Sequence, residues 1–232
     1  MENYRLTDMA IRVIGAKCSL GEAVVDKLLS LDIDVIAVEE SHQLRNSTML
    51  EYSSANLYTE GEGFSISFDS SDANIIVGKD LIVHDLIPLR ADKWLAPEIV
   101  SWSNGEDIEC SSRYWLSVID AANAIAHIVK AELKIDRIEM CGRREWLAQD
   151  SKSEFEMLWQ RTQQGVSGDF TAETLFGHEI AGMEAKPISI DSETRPDLDP
   201  LHDLLLDLTG DGWRPLVPFR TALMSLIAGL LN

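Results

Sequence analysis

Gly15 and Gly21, six residues apart in VIGAKCSLGEAVV, carry the clearest chemical signal in this chain. Glycines between an apolar run and a helix allow close backbone approach, and the helix start offers free N–H groups to a pyrophosphate. Glu39 follows Gly21 by 18 residues, a spacing that suits a carboxylate accepting the ribose hydroxyls of a dinucleotide. Cys18 stands between the glycines, where its Cβ and sulfur crowd the point of closest approach. A second reading needs no ligand: the glycines let the helix pack on the strand, and Glu39 is solvated.

Other combinations offer less. His84 and Asp85 are adjacent on an expected strand, so their side chains point to opposite faces. His178-Glu179 lacks a second histidine four residues after the first, which a zinc protease helix requires. Asp197, Asp199 and Asp203 lack the glycine and spacing of a calcium loop. Cys18, Cys110 and Cys141 form no CxxC and are read as small buried residues, so no metal is expected.

The elements that must position these groups alternate. Ile11–Ile14 is a short apolar run, Leu20–Ser30 has helical spacing, and DIDVIAVEE returns as a β-rich run. KDLIVHDLIP predicts a strand closed by Pro88, and PEIVSWSNGEDIEC a helix, a turn at Asn104-Gly105 and a strand. SVIDAANAIAHIVKAEL is the best helix, with Ser117 as its N-cap. RIEMCG and KPISID read as strands; SKSEFEMLWQRTQ, DPLHDLLLDLTG and PFRTALMSLIAGLL read as helices. The pattern predicts an α/β fold with a mainly parallel sheet. Residues 1–145 are assigned to the sheet domain and 146–232 to a small C-terminal cap.

With 39 acidic and 20 basic residues the net charge is −19, which argues against a nucleic acid partner. No stretch is long and apolar enough for a membrane span and the first residues show no leader pattern, so a cytoplasmic protein is expected.

Four segments resemble the extended short-chain dehydrogenase/reductases, the NAD-dependent epimerase/dehydratase family that acts on nucleotide sugars. VIGAKCSLGEAVVDKLL resembles its TGxxGxxG turn, with Gly15 and Gly21 in register and Cys18 at the second glycine. LEYSSANLYTEG resembles SSxxVYG, which implies a catalytic role for Ser54. DIECSSRYWLSVIDAANAIAHIV resembles RDxxxVxDVAxAI, matching Arg113 and Asp120, and RPDLDPLHDLLLDLTGDGWRP resembles the closing RPGD and GWxP segment. The resemblance implies NAD or NADP at Gly15, Cys18, Gly21 and Glu39, and a nucleotide-sugar diphosphate at Arg113 and Arg195. Ion pairing is the other reading of both arginines, and Asp120 is expected to cap or orient its own helix.

Departures from that pattern set the remaining expectations. The YxxxK pair, an acid/base tyrosine with a lysine that lowers its pKa, is missing: neither Tyr52 nor Tyr58 has Lys four residues later, and Lys79 follows Ile75. The connection from Glu40 to Leu50 is short, which predicts a reduced Rossmann-like, doubly wound sheet lacking the family's third and fourth strands. Gly15, Ser54, Pro88 and Arg113 are expected to converge beyond the strand ends. The reading is a nucleotide or nucleotide-sugar binding protein, catalytically impaired, with NAD or NADP bound weakly or not at all. An active enzyme using Tyr58 or His84 as a substitute base, and a protein-binding scaffold, remain as alternatives. The loss of the helices flanking the serine strand implies a monomer, or a dimer not built on the family's helix bundle.

Overall fold

A computed structural model describes residues 10–39, 41–167 and 195–231. The strand expected at KPISID and the His178-Glu179 pair lie outside the described residues.

The strand-turn-helix-strand reading holds over residues 11–37. Strand β1 (Ile11–Ile14) leads into helix α1 (Ser19–Ser30) and strand β2 (Val35–Ala37). Short helices α2 (Ser41–Arg45) and α3 (Ser47–Leu50) precede strands β3 (Leu57–Tyr58), β4 (Phe64–Ser67) and β5 (Ile75–Ile76). These five strands form one parallel sheet in the order β3-β2-β1-β4-β5. The expectation of a changed strand order is corrected here, because the third and fourth strands are present. What is missing is helical: the connections 59–63 and 68–74 contain no helix.

Strand β6 (Leu81–Val83) is followed by β7 (Leu86–Ile87), helix α4 (Pro97–Ser103), β8 (Leu116–Ser117), α5 (Val118–Lys130) and β9 (Ile138–Met140). Parallel pairs join β6 to β9 and β7 to β8. The chain closes with α6 (Ala148–Ser167), α7 (Asp199–Thr209) and α8 (Phe219–Leu230). No strand forms between Asn104 and Cys110, where one was expected.

Periodicity explains the packing. Ile11, Val13, Val35, Ala37, Ile66 and Ile75 share one sheet face and are buried in the main core with residues of α1 and α5. On the opposite face Ile36 and Ser67 are buried, while Arg12, Ile14, Tyr58, Ser65 and Ile76 around them are partly exposed, so this face is less fully covered than parallel sheets usually are. A second core gathers Trp102, Trp115, Trp146, Phe155 and Phe219, with Trp146 and Phe219 ring centres 4.4 Å apart. Packing crosses residue 145: Leu201 and Leu205 of α7 join the sheet core, while Ile99 and Trp102 of α4 join the aromatic one.

Ser117 caps α5 as expected, its side chain accepting the Ile119 N–H. Asp120 acts at longer range than expected. Its two oxygens accept the N–H groups of Leu216 (3.0 Å) and Val217 (2.9 Å), tying the segment before α8 to α5. Replacing Asp120 with Ala leaves both amides without that acceptor and should cost about 2 to 3 kcal/mol in chemical denaturation. Asp120→Asn, which retains one acceptor, should lose less, and equal losses would contradict the assignment.

Candidate functional site

The nucleotide turn is well formed as backbone. Gly15 has φ +69, a left-handed conformation that a side chain would strain, and a Cβ there would lie 2.6 Å from the Asp69 carboxyl carbon. Cys18 is the N-cap of α1 with extended backbone, and its Sγ accepts the Gly21 N–H at 3.5 Å. Helix starts leave their first amides without intrahelical partners. Here the Ser19 N–H donates to Asp92 Oδ2 at 2.6 Å, so two of the opening amides, Ser19 and Gly21, are bonded within the chain.

The rest of the turn is held by the same means. Arg90 Nη2 bonds the Lys17 carbonyl at 2.9 Å and Glu22 Oε1 at 2.8 Å. Lys93 Nζ bonds the Phe68 carbonyl beyond β4. Hydrogen bonds from Ser71 hold the Asp69 carboxyl below the usual carboxylate range, which keeps a negative charge beside Gly15. As arranged, the turn does not fit a pyrophosphate: one needed amide is taken and two carboxylates, Asp69 and Asp92, stand beside it.

Glu39 lies two residues past β2, at the sheet edge expected for it. Its Oε2 sits 3.7 Å from Nε2 of His42, whose side chain is 1% exposed and whose ring nitrogens have no hydrogen-bond partner. Arg45 joins this corner by pairing with Glu22 and Asp26.

Ser54 is not brought to the site. Its backbone N–H donates to Asp32 Oδ1 at 3.2 Å, and it leads into the amino end of β3, whereas Gly15 follows the carboxyl end of β1. At about 3.3 Å per residue, the four residues of β1 separate those two sheet edges by roughly 10 Å. The expected strand-end placement of Ser54 is corrected here, because SSANLY builds the outer strand beside β2 and puts the serine at its amino end.

Arg113 is ion-paired. Its Nη1 lies 2.8 Å from Asp85 and its Nε 2.6 Å from Glu98, a residue only 3% exposed. Arg195 makes no ion pair with another described residue, and its charge acts on Cys141 beyond β9. Burial, reinforced by Asp85, pushes the Cys141 thiol up to about 12, with Arg195 acting in the other direction. Arg113 and Arg195 thus share one neighbourhood around Asp85 and Cys141, apart from Ser54. Cys18 and Cys141 are buried as expected, while Cys110 is partly exposed.

The substitute bases fare unevenly. Tyr58 lies on β3 with its hydroxyl 3.4 Å from Asp34, and burial together with that carboxylate raises its pKa, the wrong direction for a base. His84 Nε2 is 3.5 Å from Glu139 on the neighbouring strand. Among the described residues no His, Cys, Asp and Glu group is arranged to hold a metal ion. No helix among them is long and apolar enough to cross a membrane. Sequence reasoning missed Asp92, whose only trace was a charged RADK run just after Pro88.

Replacing Arg113 with Met should cost about 3 kcal/mol, because Glu98 would be left buried without its partner. Adding Glu98→Gln should recover part of that loss; a cost below about 1 kcal/mol for the single change would contradict the structural role. His42 supplies a pH test. Burial holds its imidazole below the ordinary value of 6.5, against the pull of Glu39, Glu22 and Asp26. The folded state then takes up a proton less readily than the unfolded chain, so the contribution is full above 6.5 and is lost as pH falls below it. The melting temperature should drop more steeply on acidification in the wild type than in His42→Leu, and parallel curves would contradict this.

No protein-family model matches the chain, and no curated protein matches its sequence. Its structure is similar to that of a UDP-glucose 4-epimerase from Thermotoga maritima solved with UDP-glucose: 14% identity, 95% of this chain and 98% of that chain covered, TM-score 0.55. It is also similar to a dTDP-glucose 4,6-dehydratase from Bacillus anthracis in complex with NAD: 11% identity, 95% and 96% coverage, TM-score 0.52. At these identities the likeness establishes the fold alone, a fold this chain shares with those two enzymes.

Proposed function

We propose that this protein binds a nucleotide or nucleotide sugar and has lost the hydride-transfer chemistry associated with its fold. The observation that carries the reading is the Asp92 carboxylate on the Ser19 amide, which fills the place where a dinucleotide pyrophosphate would be held. NAD or NADP is accordingly bound weakly or not at all.

The proton handler is missing as well. None of the four tyrosines has Lys four residues later, the positions being Asp8, Asn56, Glu62 and Val118. Ser54 lies at the opposite sheet edge from the turn, its backbone N–H bonded to Asp32. Nucleotide-sugar binding draws support from the fold shared with an epimerase solved with UDP-glucose, and from Arg195, free of described ion pairs near the carboxyl end of β9. A guanidinium there suits a diphosphate because it donates parallel hydrogen bonds to phosphate oxygens. With no helix in connections 59–63 and 68–74, the chain is read as a monomer or as a dimer of another kind.

Calorimetry of the purified chain with UDP-glucose, dTDP-glucose and NAD tests the reading. A sugar nucleotide should bind and Arg195→Ala should weaken it about 10-fold or more, with no conversion of the sugar when NAD is added. Turnover of a nucleotide sugar with NAD would overturn it, and silence with every nucleotide would favour a scaffold.

A further inference from the structure

We propose that residues 88–94 form an intramolecular strap that closes the nucleotide turn, the Asp92 carboxylate holding as a tethered anion the place of a pyrophosphate. The inference rests on the nucleotide-binding reading above and adds a means of regulating that site.

Three contacts place the strap across the whole turn. Arg90 bonds the Lys17 carbonyl, Asp92 accepts the Ser19 amide at the start of α1, and Lys93 bonds the Phe68 carbonyl beyond β4. The Asp92 carboxylate is oriented from both sides, its other oxygen accepting the Trp94 N–H at 2.9 Å. Behind the strap lies α8. A Cβ added at Gly229 would come within 2.0 Å of the Leu89 carbonyl oxygen, so the closing helix backs the strap with no space between them.

Burial marks the strap as separable from the core. Leu86, Ile87 and Pro88 are buried, whereas Leu89 to Trp94 are partly or fully exposed and hold the turn through polar bonds. Leu89 and Trp94 anchor the strap at the margin of the main core. Arg90 to Lys93 lie between them, and lifting those four residues breaks hydrogen bonds without opening either hydrophobic core. A tethered carboxylate also acts at high effective concentration, so an incoming pyrophosphate competes with a partner that is always present. Displacement would then expose the Ser19 amide and remove one of the two carboxylates facing the phosphates.

Calorimetry of the full chain with NAD and UDP-glucose, on wild type, Asp92→Ala, Lys93→Ala and Asp203→Asn, tests the strap. Asp92→Ala should bind NAD about 10- to 100-fold more tightly, the worth of a charge-assisted hydrogen bond. Lys93→Ala should gain less, and it carries the test if Asp92→Ala proves unfolded by circular dichroism. Asp203 is exposed on α7, so its neutralisation should leave NAD affinity unchanged. NAD binding that is equal or undetectable in wild type and both strap variants overturns the strap, as does an equal gain in Asp203→Asn. Absence of UDP-glucose binding in the wild type would instead sink the underlying reading, so the two failures are told apart.

Discussion

The opening amides of α1 need partners, and this chain supplies them from its own side chains. A helix start carries orphan N–H groups and a partial positive charge, and both are relieved by an anion. In related folds that need gives a nucleotide site its affinity. Here Asp92 and Cys18 meet it, and the consequences spread outward. The segment after Pro88 must cross to the turn, Arg90 and Lys93 must fasten it, and α8 must present glycine where it presses on Leu89.

The same economy governs the other charges. In a chain with 39 acids and 20 bases, cations that could meet phosphate are drawn into ion pairs. Arg45 and Arg90 hold Glu22, Arg113 holds Asp85 and Glu98, and Arg220 holds Glu154. These pairs stitch α1, α2, the strap and the aromatic core together. The parallel sheet runs in the order β3-β2-β1-β4-β5, and the connections 59–63 and 68–74 contain no helix.

Local patterns revealed most of the scaffold. Gly15 and Gly21, the period of α1 and the Ser117 cap of α5 are readable because each depends on neighbours within a turn or two. Ser54 was misplaced for the same reason, since SSANLY matches a strand-end pattern locally while its strand partner is fixed by register with β2. The contact that defines the turn could not be read at all. Ser19 and Asp92 are 73 residues apart, and nothing in RADK announces where its carboxylate lands. Asp120 shows the same limit, because its partners lie 96 and 97 residues away.

The central claim is that the Ser19 amide is bonded to Asp92 in the ligand-free protein. The most direct measurement is the Ser19 amide proton resonance in the wild type and in Asp92→Ala. The account predicts a downfield Ser19 amide in the wild type that moves upfield when the carboxylate is removed. A Ser19 amide with the same shift in both proteins would contradict it.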